Sequence, residues 1–192
     1  MNLENLELWN RVEKTNPKYT KPAKVGGMNI TAIAPQYQIM MVTEQFGVYG
    51  KTWGFKNITL DYSLVEKYDM VVFKGTFFFP DGQFEIINSS KLFINNAKTM
   101  LDDNFAKKIE TDTLTKAISK LGFNADIFLG KFDDVRYIES IRDQFKEPKP
   151  LGASDATEQA AKKTTLDELK KLFIVTKEQE SKYLKLIENG TK

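Results

Sequence analysis

Between Trp53 and Leu121 the spacing of apolar residues changes once, and that change fixes the core architecture. Trp53, Phe55, Ile58, Leu60 and Tyr62 populate a strand-like run, Met70 to Phe79 is strongly strand-forming, and Pro80-Asp81-Gly82 turns the chain into a third run, Gln83 to Asn88. From Lys98 to Leu121 the period is helical: Leu101, Phe105 and Ile109 fall four apart, and Leu114, Ala117, Ile118 and Leu121 continue the stripe up to Gly122. The expected fold class is α+β, a three-stranded antiparallel β-meander followed by a long helix, or β-β-β-α. Asp102 and Asp103 near the start of that helix and Lys116 and Lys120 near its end suit its dipole.

The flanks are read in the same way. Leu3, Leu6, Trp9 and Val12 predict a short amphipathic helix over Leu3 to Lys14, ended by Pro17. Arg11, Lys14, Lys18, Lys21 and Lys24 against Glu13 give a local excess of 5 − 1 = +4, which reads as a solvated loop or a phosphate-facing one. Pro35 to Phe46, with Tyr37, Met40, Met41 and Phe46, suits a buried helix closed by Gly47, and Gly47 to Gly54 is a tight glycine-aromatic loop. Val135 to Phe145 predicts a further helix. The chain divides into a core (1–147), an alanine-rich linker with Pro148 and Pro150 (148–164) and a small helical tail (165–192) opened by the capping box Thr165-Leu166-Asp167-Glu168. The tail is expected to be too small to hold a core unaided. It docks back, packs on a neighbouring copy, or recruits a partner.

The chain has 192 residues, 28 Lys plus Arg, 26 Asp plus Glu and a formal charge of +2, with neither histidine nor cysteine. That inventory excludes triads with a histidine base, Cys/His zinc sites, disulfides and thiol redox chemistry. No Gly-Lys-Ser/Thr loop follows a strand, so nucleotide hydrolysis has no motif and no cofactor or metal is expected. Asp102, Asp103, Glu110 and Asp112, with Asp126, Asp133 and Asp134 beyond them, are the acidic candidates for a metal-dependent nuclease. Adjacent helical residues diverge by about 100°, which favours caps and solvated faces for these carboxylates. No apolar run reaches the roughly 18 residues of a membrane helix and no leader pattern opens the chain, so the expectation is a cytoplasmic protein with no membrane partner. Basic residues interleaved with aromatics point to single-stranded nucleic acid. Tyr49, Trp53 and Phe55 beside Lys51 and Lys56 make one patch, and Lys107, Lys108, Lys116 and Lys120 another.

Four motifs in order resemble the single-strand annealing proteins related to Rad-fifty-two, in particular the small phage Sak-type recombinases. They are Trp9 with Thr15-Asn16-Pro17-Lys18-Tyr19-Thr20-Lys21; Thr31-Ala32-Ile33 with Pro35-Gln36-Tyr37; Thr43-Glu44-Gln45-Phe46-Gly47 ahead of Gly50 and Trp53; and Thr111 to Ile118 with Leu121-Gly122. The resemblance implies a homo-oligomer, either a ring, an open arc or a helical filament, that binds single-stranded DNA and anneals complementary strands without ATP in a bacterial host cell. It makes Lys116 a phosphate contact, with Thr115 and Ser119 where the family has basic residues and Lys120 as a substitute. Lys107 matches a lysine of the same helix, Tyr49 falls at or next to the groove aromatic, and Lys67 and Lys98 lie near an outer site. The chain is then a binding protein with no catalytic residue, and its tail is a candidate dock for a host single-strand-binding protein. A protein-interaction module acting through the tail alone is the non-DNA alternative.

Overall fold

The computed structural model describes residues 3–146, 148–162 and 164–189. It separates into two compact units, residues 1–141 and 142–192.

In the first unit a 3-10 turn over Leu3–Leu6 runs into α1 (Glu7–Val12), which buries Val12. β1 (Thr20–Val25) and β2 (Met28–Ile33) form a regular antiparallel hairpin. Its turn residues, Gly26 and Gly27, lie at φ +57° and +85°, a conformation that suits a two-residue hairpin and that side chains oppose. This hairpin occupies part of the Arg11 to Lys24 stretch expected to be a loop; the charge run hid a strand whose only turn signal is Gly-Gly. α2 (Pro35–Phe46) starts on Pro35, whose missing N–H costs nothing in a first turn, and buries Tyr37, Gln38, Val42 and Phe46. Met40, expected inside, is 49% exposed.

The meander follows as β3 (Gly54–Asp61), the one-turn α3 (Val65–Tyr68), β4 (Met70–Phe79) and β5 (Gly82–Lys91), in spatial order β3-β4-β5 with every pair antiparallel. Strand alternation sorts the side chains. Val71, Phe73 and Phe77 of β4, Ile86 of β5 and the loop residue Trp53 are buried on one face, with Phe55 and Leu60 packed against them. Lys74 and Asp61 pair at 3.2 Å on the other. α4 (Phe105–Ser119) covers the buried face with Ile109, Leu114, Ala117 and Ile118, beside Val42 and Phe46 of α2. The result is one helical layer on one sheet, the expected β-β-β-α order.

α4 begins later than its apolar stripe suggests. Lys98 lies at φ +54°, which no helix accommodates, and Leu101 forms a bridge with Phe93. Asp102 accepts from the Asn104 amide at 3.1 Å and the Lys108 ammonium at 2.6 Å, so it braces the approach to the helix. α5 (Ala125–Phe128) and α6 (Val135–Gln144) follow.

The second unit holds β6 (Lys149–Pro150), α7 (Ala153–Ala161), α8 (Leu166–Leu172), β7 (Phe173–Ile174) and α9 (Lys177–Asn189), with β6 parallel to β7. α7 stands in the segment expected to be a linker; alanine, a strong helix former, wins there over the scarcity of large side chains. Nor is the tail without a core: Leu151, Leu169, Phe173 and Tyr183 are buried together, and the Thr165 hydroxyl accepts from the Glu168 amide as the capping box requires. Among the described residues no helix is long and apolar enough to cross a membrane.

Candidate nucleic-acid interface

Lys116 and Lys120 are four residues apart on α4 and its C-terminal cap, so they project within about 40° of each other. Both reach the edge strand β5. The Lys116 ammonium donates to the Ile87 carbonyl at 3.1 Å, and the Lys120 ammonium stands 5.3 Å from the centroid of the Phe84 ring. Lys107 is nine residues before Lys116, about 180° around the helix. It lies on the flank of α4 that carries Thr111, whose hydroxyl donates to the Lys107 carbonyl at 2.8 Å. The lysines of this helix thus form two flanks and not one patch.

On the other side of the sheet, the loop between α2 and β3 presents Tyr49. The Trp53 indole donates to the Gly47 carbonyl at 2.8 Å, and the Tyr49 ring stands edge-on to Trp53 at 4.8 Å, so the loop is held from beneath. Trp53 is fully buried and Phe55 packs on the core, which removes both from the expected aromatic patch. Tyr49 remains 44% exposed and Lys51 is exposed beside it. Partial burial, and then the Glu110 carboxylate of α4, push the Tyr49 hydroxyl above its usual pKa; Tyr49 therefore lies within the field of the Glu110 side of the helix.

Lys67 and Lys98 meet at a third place. The Lys98 ammonium donates to the carbonyls of Val65, at 3.1 Å, and Glu66, while Lys67 stands 5.1 Å from the Tyr68 ring centroid. This cluster sits in the crossover between β3 and β4, beside the end of β5, because Met70 pairs with Lys91. Lys120 is near the opposite end, because its partner Phe84 pairs with Phe77. One chain therefore does not gather the expected DNA contacts into one site. One property does unite the cations: among the described residues none of Lys51, Lys67, Lys98, Lys107, Lys116 and Lys120 is ion-paired, whereas Lys74, Lys108 and Lys131 are. A lysine without a neighbouring carboxylate keeps its full attraction for phosphate.

The acidic candidates are placed differently. Asp102 is held by Lys108, which keeps its carboxyl below the usual range, and Asp103 accepts from the Asn104 side chain at 2.8 Å. Glu110 and Asp112 are exposed on α4. No group of three or more acidic side chains converges on a possible metal position among the described residues.

Sequence reasoning missed the buried role of Asp126. Its carboxylate accepts from the Thr15 amide at 2.8 Å, the Thr15 hydroxyl at 2.6 Å, the Tyr137 hydroxyl at 3.0 Å and the Ile127 amide at 2.9 Å. Asn124 then donates to the Thr15 hydroxyl at 2.9 Å, and a longer contact of 3.5 Å joins Asn124 to Gln38, the acceptor of Thr115. Thr15 and Thr115, which belong to two of the ordered motifs, are therefore ends of one polar chain through the interior. Burial, and then Asp126 itself, raise the Tyr137 hydroxyl well above its usual pKa. Nothing in the local sequence marks Asp126; apart from the adjacent Ile127 amide, its partners lie more than a hundred positions away or on another helix.

No protein-family model and no curated protein matches this chain.

Proposed function

We propose that this protein binds single-stranded DNA and promotes annealing of complementary strands without ATP or catalysis, as a ring, arc or filament of identical copies. The observation that carries this reading is the set of lysines that pair with no carboxylate among the described residues, placed on both flanks of a one-sheet, one-layer core with an exposed Tyr49 that a base can stack on. Annealing needs phosphates neutralised and base edges left free, which lysines and an occasional aromatic supply. The ordered motifs add support. A chain of only +2 gains from repetition, since copies set side by side multiply a local charge into a track. The second helical unit is then free to recruit a partner such as a single-strand-binding protein, and a bacterial cytoplasm infected by phage is the setting that the resemblance suggests.

The test compares Lys116→Ala and Lys116→Ala/Lys120→Ala with the parent chain in titrations of labelled oligonucleotide against salt. The expected result is weaker binding of all sequences alike, with the salt slope reduced by about 1 for each phosphate that is no longer neutralised, and slower pairing of complementary strands. Unchanged affinity at low salt, or a parent chain that leaves strand pairing unaccelerated, refutes the reading. Magnesium-dependent cleavage of the oligonucleotide, abolished by Asp112→Asn, would favour the nuclease instead.

A further inference from the structure

Three of the four outer edges in the two sheets of the first unit carry a device against pairing with another chain. On β1, Pro22 stands between Lys21 and Lys24. β3 is broken by a bulge between Lys56 and Thr59, with Asn57 at φ +55°. On β5 the Lys116 ammonium occupies the Ile87 carbonyl. β2 has no such device: Met28-Asn29-Ile30-Thr31-Ala32-Ile33 contains no proline, no charge and no bulge.

The ladder fixes which groups on β2 face outward. The Ala34 amide donates to the Tyr19 carbonyl at 2.9 Å, and antiparallel bonding alternates, so Ala32, Ile30 and Met28 bond inward to β1. Asn29 and Thr31 turn their amides and carbonyls away from it, and Pro22, opposite Thr31, has the outward place where a missing N–H costs nothing. Nothing among the described residues bonds to the outward groups of Asn29 or Thr31. Both residues line a cavity of about 280 Å³, whose far wall is Ile127, Phe128 and Phe132 and whose charged lining residue among the described residues is Asp133. Phe128 is 53% exposed, and the Asp133 carboxylate has neither a hydrogen-bond nor an ion-pair partner among the described residues.

We propose that this slot takes an extended peptide of a partner protein as an added strand on β2, apolar at alternate positions and carrying a lysine or arginine for Asp133. Main-chain bonds to Asn29 and Thr31 supply attachment and the aromatic wall selects side chains, which is how strand addition works elsewhere. The cavity holds the bulk of about nine waters, room for the side chains that one added strand turns toward its wall, and the uncharged β2 of a second copy brings no cation to Asp133. The unpaired Asp133 carboxylate selects a basic residue and repels a phosphate chain, so the occupant is peptide and not the DNA of the proposed function.

The probe is an end-blocked hexapeptide, Val-Lys-Ile-Thr-Ile-Thr, added at millimolar concentration to the full chain while amide exchange is followed by NMR. The expected result is at least tenfold slower exchange at Asn29 and Thr31. The same peptide with every amide N-methylated leaves both unchanged. Thr31→Pro, which deletes an outward amide that the fold does not use, abolishes binding, and Asp133→Lys reverses a two- to fivefold preference for the lysine peptide over its glutamate version. Unchanged exchange, or equal binding of the N-methylated peptide, overturns the proposal. So does protection that grows with protein concentration in the absence of peptide, which would assign the edge to a second copy, or protection given by oligonucleotide alone.

Discussion

Replacing Asp126 gives the sharpest test of how the first unit is held together. The carboxylate is fully buried and receives three donors from outside its own helix: the Thr15 amide, the Thr15 hydroxyl and the Tyr137 hydroxyl, at 2.8, 2.6 and 3.0 Å. A hydrogen bond to a charged group contributes about 1.5–3 kcal/mol, and an unsatisfied buried donor costs about 1–3 kcal/mol. In Asp126→Ala the two hydroxyls can turn to other acceptors but the Thr15 amide cannot, so the expected loss is about 3–5 kcal/mol. Asp126→Asn keeps one acceptor oxygen but points an NH₂ group at donors, and is expected to cost about 2–4 kcal/mol. Tyr137→Phe removes one donor and leaves the carboxylate its others, costing about 1 kcal/mol. Urea unfolding of the full chain, followed by tryptophan fluorescence from Trp9 and Trp53 in the first unit, measures all three. A loss below about 1 kcal/mol for Asp126→Ala, or Tyr137→Phe as costly as Asp126→Ala, refutes the claim that the carboxylate is the centre of this network. DNA affinity of the folded Asp126→Asn protein should stay that of the parent, because none of the candidate phosphate contacts touches Asp126.

Gly122→Ala is expected to cost about 2–4 kcal/mol in the same assay, since Gly122 lies at φ +95° and a new methyl would come within 2.7 Å of the Trp9 ring; a near-neutral result would show that Trp9 yields. The Ser63 hydroxyl and amide, followed by the Lys74 ammonium, hold the Asp61 carboxyl down at about 2, from an ordinary 3.8. Its stabilising contribution is therefore complete above about pH 4 and is lost as pH falls toward 2, and Asp61→Asn should flatten the acid limb of stability in that window. Thr165→Ala removes the hydroxyl that caps α8 and should speed amide exchange in α8 about fivefold, equivalent to about 1 kcal/mol, with no change in α4.

The parts of the fold legible in the sequence are those that repeat: the β4 run, the turn at Pro80-Asp81-Gly82, the stripe through Ile109 and Leu114, and the Thr165 capping box. Each is a local rule whose partners lie within a few residues. The hairpin of β1 and β2 is obscured because Lys21, Pro22 and Lys24 read as a solvated charge run; they are the guarded outer edge of a strand. The extra turns expected at the start of α4 fail because Lys98 and Asp102 are committed to loop contacts with α3 and Lys108. At the candidate site, residue identity is legible but relative position is not. Lys107 and Lys116 look like one basic patch in a linear reading, yet half a turn of phase sends them to opposite flanks. Asp126 has no local signature, because the Thr15 and Tyr137 donors are brought to it only by the finished fold.

The guard on β5 has a consequence for the order in which the chain is made. Lys116 lies beyond the whole meander in sequence, so a ribosome that has released β3, β4 and β5 has not yet released the side chain that occupies the Ile87 carbonyl. During that interval the strand edge and the apolar face awaiting α4 are both open, the condition under which nascent β-sheets join one another. Synthesis from Lys91 to Lys116 is thus a hazardous stretch of this protein's production. Pauses within it, or truncations just short of Lys116, should yield aggregates even where the complete chain folds cleanly.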